Sequence, residues 1–287
     1  MSYPDDLRIA VDQHLETIHF SDEAATAGLD EAMRYSLLAG GKRIRPVLCL
    51  ATARSLGERI EPYLDMAAAI EMVHTYSLVH DDLPAMDDDD LRRGQPTSHI
   101  KFGEAVAILA GDGLFAEAVR AMSQVEAEPA RVLEAVQLLT SATGVEGMVG
   151  GQYVDVTAEN LDAERLRHLH SLKTGRLIAV SVETALALGG VPGPERLPYH
   201  RFAAELGILF QIVDDILDVT GSDEELGKPQ GSDERHGKVT YVSLYGLDEA
   251  RGLASQSHQQ ALSALAEADG ATEDLRRIAD YIYLREQ

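Results

Sequence analysis

The sequence predicts an all-α protein, and two observations support that prediction. Apolar residues recur every three or four positions through almost every segment, and the strict alternation typical of a half-buried strand is not found along the chain. Glycine and proline fall between these segments, where helices usually begin and end. We therefore expect a bundle of about ten helices in one domain that spans residues 1–287.

The first half of the chain has signals for four helices. The first covers Leu7–Ile18, where apolar residues repeat at helical spacing. A second is expected over Ser21–Gly41, with the serine as its N-cap and two glycines at its end, and a third over Pro46–Leu56. The fourth, Tyr63–Val79, has little polar surface and is therefore expected at the centre of the bundle.

The second half predicts further helices, separated by glycine-bearing loops. Asn160 is the expected cap of a helix that ends at Leu172, after which Lys173-Thr174-Gly175 interrupts the helical pattern. The polar stretch Gly221–Gly237 is expected to be a loop. The helices are expected at Gly103–Val125, Pro129–Val156, Leu161–Leu172, Leu177–Leu188, His200–Val219, Val239–Glu249, Leu253–Ala268 and Thr272–Leu284.

Six aspartates lie between Asp81 and Asp90, directly after the expected central helix. Carboxylates this close repel one another, so they either face water or are offset by cations. A solvated acidic loop is the ordinary explanation of such a run. Here, however, Asp81 follows the carbonyl end of a helix, where a carboxylate is disfavoured unless a cation is present. Pro84 breaks the helix and would let Asp87 fold back toward Asp81, so that a hard cation could bridge them.

A second aspartate motif favours the cation-binding interpretation. Asp214 and Asp218 are one turn apart on one face of the strongly apolar segment Glu205–Val219. Both stay charged in such surroundings only if a cation lies between them. Solvated aspartates explain this motif poorly.

The composition restricts the partners of the protein. A formal net charge of −23 and a pI near 4.7 predict repulsion from nucleic acid and from anionic membrane surfaces. No apolar run reaches the ~18 residues of a membrane span, and the first residues lack a signal-peptide pattern, so we expect a cytoplasmic protein. Cys49 is the only cysteine, which excludes an internal disulfide and a cysteine-based zinc site.

An anionic substrate would therefore need a local patch of positive charge or a metal. The lysines indicate where such a patch lies, because the chain has only five of them and lysine at a turn is a common partner of phosphate. Arg92 and Arg93 add permanent charge directly after the first aspartate motif. Four of the five lysines stand in stretches that contain glycine: Lys42, Lys173, Lys228 and Lys238.

Together these motifs identify a resemblance. From about Arg34 to Gly246 the chain resembles the trans-isoprenyl diphosphate synthases, specifically the bacterial farnesyl diphosphate synthases. Each motif is weak alone, and the combination is specific. The motifs are Gly40-Gly41-Lys42-Arg43-Ile44-Arg45-Pro46; His74–Asp82 with Asp87 and Arg92-Arg93-Gly94; Gly151-Gln152; Lys173-Thr174-Gly175; Gln211 with Asp214–Asp218; and Lys228 through Gly237–Tyr241.

The resemblance implies an isoprenoid synthase fold, a helical bundle around a central apolar cavity. It implies a prenyltransferase that joins dimethylallyl or geranyl diphosphate to isopentenyl diphosphate, head to tail, and releases pyrophosphate. Farnesyl diphosphate is the implied product, and a geranylgeranyl diphosphate synthase of the same family is the alternative. The implied cofactor is Mg²⁺, three ions that Mn²⁺ can replace, because a diphosphate is a poor leaving group until its charge is neutralised.

Roles for single residues also follow from the resemblance. Thr174 and Gln211 would direct oxygen dipoles at the developing allylic cation, with Lys173 as the third catalytic residue. The departing pyrophosphate removes the final proton in the family, so no protein base is expected. The allylic diphosphate would be held by Arg92, Lys173, Lys228 and Lys238, isopentenyl diphosphate by Lys42, Arg45, His74 and Arg93, and Mg²⁺ by Asp81, Asp82, Asp87, Asp214 and Asp218.

Which of the four adjacent aspartates Asp87–Asp90 is the distal metal ligand stays open at this point. Product length is expected to be set by Tyr76 and Ser77. Tyr76 lies five residues before Asp81, about 7.5 Å along the helix axis, where a bulky ring would close the pocket below a short chain. A homodimer is also implied, with the apolar stretch Phe102–Val125 as its expected face.

Other classes of protein fit the motifs less well. The adjacent His80 and Asp81 also suggest an HD-type metal phosphohydrolase, but that interpretation leaves the motif at Asp214–Asp218 without a role. A terpene cyclase shares the aspartate motifs but lacks the basic residues for isopentenyl diphosphate. A catalytically silent subunit that regulates a partner synthase is disfavoured because the expected ligands are intact.

Overall fold

The computed structural model describes residues 3–158, 161–221 and 238–284. Within them the protein is helical apart from one antiparallel hairpin, β1 (Leu91–Arg92) and β2 (Gln95–Pro96). A 3₁₀ turn precedes the fourth helix, and a π-helical turn at Ser171–Gly175 joins the ninth to the tenth. The helices are α1 (Asp5–Thr17), α2 (Ala27–Leu37), α3 (Ile44–Ser55), α4 (Leu64–Asp81), α5 (Ser98–Phe102), α6 (Glu104–Ser123), α7 (Pro129–Thr143), α8 (Met148–Thr157), α9 (Ala163–His170), α10 (Arg176–Leu188), α11 (Gly193–Thr220), α12 (Tyr241–Tyr245), α13 (Leu247–Leu265) and α14 (Glu273–Leu284).

The predicted all-α class is confirmed, and α4 lies at the centre of the bundle as expected. Every residue from Met66 to Val73 is buried, so this helix is covered on all sides. It packs against α6 and α3, while α10 packs against α7, α3 and α11. The buried apolar residues of these helices form one continuous cluster. No helix of the described residues is long and apolar enough to span a membrane.

The four helices of the first half begin at residues other than those predicted, α1 at Asp5 and α4 at Leu64. Helix α2 begins at Ala27, because the hydroxyl of Ser21 bonds to that of Thr26 at 2.6 Å instead of capping a helix. Helix α3 begins at Ile44 rather than Pro46. Proline is tolerated anywhere in the first helical turn, so its position does not mark the first residue.

The long helix predicted over Pro129–Val156 is wrong, since the chain breaks between α7 and α8. A Cβ atom at Gly147 would lie 2.0 Å from the carbonyl oxygen of Ala142, and one at Gly150 would lie 1.8 Å from that of Val145. The chain therefore folds back on itself more closely than any residue other than glycine allows. The glycines that suggested a kink mark a complete break.

Several boundaries in the second half also differ. Asp162 caps α9 through a 2.9 Å bond from the backbone N–H of Arg165, whereas Asn160 lies outside the described residues. Helix α11 begins at Gly193 and contains Pro198, earlier than the predicted His200. Near the C-terminus the break falls at Gly246, whose φ of 80° ends α12 and sets the start of α13.

The hairpin is the one strand pair that the structure describes, and no strand was predicted. Its two-residue loop is Arg93-Gly94, and both residues have positive φ, 54° and 73°. This combination matches the tight turn that suits the twist of antiparallel strands. A glycine at only one of the two positions weakened the sequence signal, because an arginine rarely adopts this conformation.

Candidate active site

The first aspartate motif folds back as the sequence predicts. Asp81 is the last residue of α4, and Pro84 follows in a turn that lets the backbone N–H of Asp87 donate to the carbonyl oxygen of Asp81 at 2.9 Å. The two side chains therefore face the same space. Burial raises the pKa of Asp81 to about 6, although Lys173 opposes the shift. The positive charges of the protein therefore do not fully compensate for the burial of this charged carboxylate.

The second aspartate motif borders the same space. Helix α11 presents Asp214 to the surface, whereas Asp215 and Asp218 are buried, 2% and 4% exposed. Asp81, Asp87 and Asp214 all line one cavity of about 640 Å³. The two acidic motifs, separated by more than 120 positions in the sequence, therefore meet across one opening.

The cavity bears on which of the four adjacent aspartates is the distal metal ligand. Among the described residues that line it, Asp87 is the member of Asp87–Asp90 that faces it. Asp82 is placed differently from the prediction: it is 3% exposed, and its carboxylate accepts two bonds from Nε of Arg92, at 2.7 and 2.9 Å. Asp82 and Asp218 are buried rather than open to the cavity, so any contact with a metal would need a local rearrangement.

The predicted basic residues surround the cavity, each paired with a carboxylate. Lys173 Nζ lies 2.5 Å from Asp155 Oδ2 on α8, and Lys238 Nζ lies 3.1 Å from Asp87 Oδ1. Arg92, Lys173 and Lys238 all line the cavity. Lys228, the fourth predicted residue, lies outside the described residues. A ligand with several anionic oxygens would compete for three cations at one site.

Lys173 and Thr174 are carried by the π-helical turn. The sequence predicts an interruption here, whereas the chain continues as a helix with one widened turn, a form often found at functional sites. Two glycines hold this turn closely. A Cβ at Gly151 would lie 2.4 Å from the backbone nitrogen of Lys173, and one at Gly207 would lie 3.0 Å from the Cα of Gly175. Helices α8 and α11 therefore fix the position of Lys173 and Thr174 from two sides.

A chain of hydrogen bonds orients Thr174 and Gln211. The Thr174 hydroxyl donates to Oε1 of Gln211 at 3.1 Å, and Nε2 of Gln211 donates to Oδ1 of Asp215 at 2.8 Å. The other oxygen of Asp215 accepts from the backbone N–H of Tyr241 at 2.7 Å. The hydroxyl proton of Thr174 is thus directed away, which leaves lone pairs of its oxygen available to the cavity that both residues line.

The second predicted basic group lies beside the N-terminus of α3. Nη1 of Arg45 is 3.4 Å from Nε2 of His74, and Arg93 donates to the carbonyl oxygen of Gly40. Burial lowers the pKa of Arg45 to about 10. Burial also lowers the pKa of His74 well below its usual value, and Arg45 and Arg93 add to the effect, so this imidazole is neutral. Lys42 lies at the edge of the group, 5.6 Å from the ring of Tyr281.

An apolar cavity of about 460 Å³ adjoins both groups. Its lining includes Arg45 and His74 from the basic group, and Asp81, Lys173 and Thr174 from the acidic one. The remaining lining is mostly apolar or aromatic: Tyr76, Leu78, Met86, Met148, Val149, Tyr153 and Val156. The structure thus brings together the two predicted diphosphate sites and a space for a hydrocarbon chain.

Comparison with known proteins identifies the family. The sequence profile of polyprenyl synthetases matches residues 26–282 of the chain. The chain belongs to the polyprenyl synthetase family. The resemblance and fold expected from the sequence are therefore confirmed.

Three relatives of this polyprenyl synthetase illustrate the match. It is 47% identical over 253 residues to the farnesyl diphosphate synthase of Geobacillus stearothermophilus, with 85% of each chain covered. It is 46% identical over 264 residues to a chloroplastic geranylgeranyl pyrophosphate synthase of Capsicum annuum, with 90% of this chain and 72% of that protein covered. The solved structure of the Helicobacter pylori geranyltransferase, complexed with magnesium and isoprenyl diphosphate, has a TM-score of 0.88 at 32% identity and covers 99% of this chain and 98% of that one.

Two carboxylates of this synthetase, Asp155 and Asp215, contact predicted catalytic residues but are not themselves predicted as part of the site. Asp155 holds Lys173, and Asp215 orients Gln211. The i to i+4 spacing of Gln211 and Asp215 on one helix face was a usable signal for the second. The contact of Asp155 with Lys173 joins two separate helical segments, so local sequence spacing does not reveal it.

The histidine of the first motif contacts a neighbouring helix. Nε2 of His80 lies 3.0 Å from the carbonyl oxygen of Ile108, and a Cβ at Gly111 would lie 2.1 Å from the same nitrogen. Gly111 therefore makes room for the ring against α6. A phosphohydrolase that used His80 as a metal ligand would have to give up this contact, so the structure does not favour that rival.

Proposed function

We propose that this polyprenyl synthetase condenses dimethylallyl or geranyl diphosphate with isopentenyl diphosphate and forms farnesyl diphosphate and pyrophosphate. One observation supports this more than any other: Asp81, Asp87 and Asp214 share one cavity with the cations Lys173 and Lys238. A separate basic group and an apolar cavity adjoin it. The relatives named as farnesyl diphosphate synthases and geranyltransferases support the same reaction.

The carboxylates fit a hard divalent cation. Asp81, Asp87 and Asp214 offer only oxygen atoms as ligands, which Mg²⁺ prefers. Burial raises the pKa of Asp81 to about 6, as expected for a carboxylate whose charged form a nearby cation would stabilise. Among the described residues no three histidine, cysteine or carboxylate side chains converge into a ready-made metal site. Each ion would therefore take further ligands from substrate oxygens and water. When bound there, Mg²⁺ supplies the Lewis acidity that neutralises the leaving diphosphate.

The residues of the chain prepare the ionisation of the allylic carbon–oxygen bond. Lys173 and Lys238 would exchange their carboxylate partners for diphosphate oxygens and hold the leaving group. The oxygens of Thr174 and Gln211, already oriented by Asp215, would stabilise the allylic cation where its charge develops. The mostly apolar lining of the adjoining cavity would keep water from capturing that cation.

Carbon–carbon bond formation then needs the second substrate in a fixed position. Arg45, Arg93 and His74, with Lys42, would hold isopentenyl diphosphate with its double bond directed at the cation. The electron pair of that double bond forms the new bond, and a proton leaves the neighbouring carbon. The released pyrophosphate accepts it, so no protein base is required.

Tyr76 supports farnesyl diphosphate as the product. Its ring lines the apolar cavity and packs against Phe115 at 5.6 Å between ring centres and against His80 at 5.7 Å. The ring is thus held on the side of the cavity toward the middle of α4, together with Ser77. A product longer than farnesyl would have to displace it.

We also propose a homodimer through the exposed side of α6. Ile108 and Leu109 are 44% and 55% exposed on this helix, within the stretch Phe102–Val125 that the sequence singled out. Adjacent exposed apolar residues favour contact with another surface. Light scattering should give twice the chain mass of 31.1 kDa, and a monomer at all concentrations would contradict this part.

The function is tested by incubating the purified protein with Mg²⁺, dimethylallyl diphosphate and labelled isopentenyl diphosphate. After dephosphorylation, chromatography should show farnesol, with release of pyrophosphate, and addition of EDTA should stop the reaction. Geranylgeraniol as the main product would select the alternative synthase, which the plant relatives favour. If neither a prenyl product nor pyrophosphate is formed, the result would indicate a catalytically silent subunit.

A further inference from the structure

Arg43 occupies an unusual position next to the isopentenyl diphosphate site and has no role in the proposed reaction. It precedes α3 with φ 52° and ψ 37°, a left-handed conformation that is unfavourable for a residue other than glycine. Its side chain is nevertheless almost completely buried, with 2% exposed. A strained backbone and a buried charge at the same residue persist only when the surroundings compensate for both.

Three helices compensate for the charge of Arg43. Nη1 donates to Oε1 of Glu71 on α4 at 2.7 Å, and Nε donates to Oδ1 of Asp12 on α1 at 2.9 Å. Nη2 donates to the carbonyl oxygen of Leu37, the last residue of α2, at 3.0 Å. The guanidinium thus joins α1, α2 and α4 at the point where α3 begins.

The carboxylate of Glu71 also affects the charges of other arginines at this site. It is 2% exposed and lies three residues before His74 on α4. Burial lowers the pKa of Arg45 and of Arg93, and in both cases the charge of Glu71 is the strongest influence in the opposite direction. Glu71 is therefore the buried counter-charge for the arginines of this site as well as the partner of Arg43.

The loop before α3 is also held from its other sides. The hydroxyl of Tyr3 donates to the carbonyl oxygen of Lys42 at 2.8 Å, and Arg93 donates to that of Gly40. A Cβ at Gly41 would lie 2.7 Å from the guanidinium carbon of Arg93, so the loop and this arginine are in close contact. The buried contact with Glu71 ties Arg43, at the end of this loop, to the central helix.

We propose that the Arg43–Glu71 ion pair is the positioning element of the isopentenyl diphosphate site. It holds the loop that carries Lys42 and the first turn of α3 that carries Arg45, and Glu71 reduces the repulsion among the arginines before substrate binds. Neither residue touches the reacting atoms. The inference rests on the proposed function, since that function assigns the basic group to isopentenyl diphosphate.

The test separates the two substrates. In Glu71→Gln, which keeps the shape of the side chain and removes its charge, the KM for isopentenyl diphosphate should rise about tenfold. The KM for dimethylallyl diphosphate should stay within about twofold, because Lys173 and Lys238 do not depend on this pair. Arg43→Gln should show the same selectivity. The double variant should be no worse than the worse single variant, because both changes remove one interaction.

A matched control distinguishes positioning from general loss of stability. The pair Arg196–Glu134 joins α11 to α7 at 2.5 Å, and neither residue is part of the cavities described above. Glu134→Gln should leave both KM values unchanged. If Glu71→Gln does not fold, Asp12→Asn removes the outer, 32% exposed contact of the same guanidinium and should raise the KM for isopentenyl diphosphate about two- to threefold.

The inference is overturned if the folded variants leave the KM for isopentenyl diphosphate unchanged, lower it, or raise both KM values together. Two measurements on the wild-type protein distinguish a failure of this inference from a failure of the proposed function. Calorimetric titration of the wild-type protein with isopentenyl diphosphate alone must show binding, and the wild-type assay must show turnover. If both are absent, the proposed function is wrong. If both are present while the variants lack selectivity, only the role of Arg43 and Glu71 is wrong.

Discussion

The two regions that we propose to bind diphosphates differ in the charged groups they present. Around Asp81 and Asp214 the protein presents carboxylates, and its lysines are paired with Asp155 and Asp87. Around Arg45 it presents buried cations with Glu71 as their main counter-charge. Both regions contact α4, one at its middle and the other at its end.

The difference follows from what each diphosphate has to do. A leaving group must become more stable as it departs, and divalent cations held by carboxylates supply that stabilisation. The diphosphate of isopentenyl diphosphate does not leave, so permanent guanidinium charges that only hold it are sufficient. In our proposal the acidic region would therefore bind the reacting diphosphate through metal ions. The basic region would bind the non-reacting diphosphate through its own arginines.

The largest effect is expected in the acidic region. Asp81→Asn should lower kcat by roughly 10³-fold, because it removes a carboxylate that we propose as a metal ligand. The folded pKa of Asp81, about 6, lies above the usual value, so its charged form costs stability above that pH. In the absence of metal, the Asp81→Asn variant should therefore have a melting temperature at pH 8 equal to or higher than that of the wild-type protein.

The control for Asp81 is Asp90→Asn, in the same run of aspartates but exposed. It should change kcat by less than about twofold. Steady-state rates over a Mg²⁺ titration and thermal unfolding in EDTA are the measurements. An Asp81 variant with full activity would remove the distinction between the two regions.

A second change addresses the basic region. Arg45→Gln should raise the KM for isopentenyl diphosphate by about 30- to 100-fold, since hydrogen bonds to charged groups contribute about 2–3 kcal/mol. The Mg²⁺ dependence should not change. Arg59→Gln, at an arginine with an 82% exposed side chain, is the control. A shift in the Mg²⁺ requirement of the Arg45 variant would show that the two regions are not independent.

A smaller effect, on kcat, is expected for changes at the hydroxyl of Thr174, which lies between the two regions. Thr174→Val keeps the shape of the side chain and removes the oxygen, so kcat should fall about 10- to 100-fold with little change in either KM. Thr174→Ser keeps the hydroxyl and should retain most activity. Single-turnover rates would separate the chemical step from product release, and a Val variant as fast as the Ser variant would remove this residue from the mechanism.

The smallest effect on rate, but a change of product, is expected at Tyr76. Tyr76→Ala opens the apolar cavity beside Phe115 and should shift products toward longer prenyl chains, with kcat within about tenfold. Tyr76→Phe keeps the ring and should still give farnesyl products. Chromatography of the dephosphorylated products measures this, and unchanged chain length in the Ala variant would reject the role of the ring.

Much of the site was predictable because its residues act through local patterns. The fold-back of Asp87 onto Asp81 follows from a proline just after a helix end, and Lys173 and Thr174 were identified beside a glycine. Prediction was less successful where local signals compete. Serine at position 21 resembles a cap but bonds to Thr26, and the glycines near Gly147 suggested a kink where the helix ends.

The contacts between distant segments required the tertiary structure. The pairing of Arg92 with Asp82 was not predicted, although the two lie ten positions apart, because it depends on the turn of the hairpin. The contact of Asp155 with Lys173 depends on two glycines that let helices approach. Glu71 carries no sequence signal for its role, since a single acidic residue in an apolar helix has many possible partners.

The sequence by itself determined the helical class and the central helix, and it supplied the residue types that we propose for both diphosphate sites. Periodicity and charge are properties of neighbouring residues, so they can be seen in the chain without folding it. Only the tertiary structure decided that Asp81 and Asp214 line one cavity and that Glu71 binds Arg43 and opposes the charge of Arg45 and Arg93. Such encounters depend on how whole helices pack, and packing is the sum of many weak contacts between residues far apart in the chain.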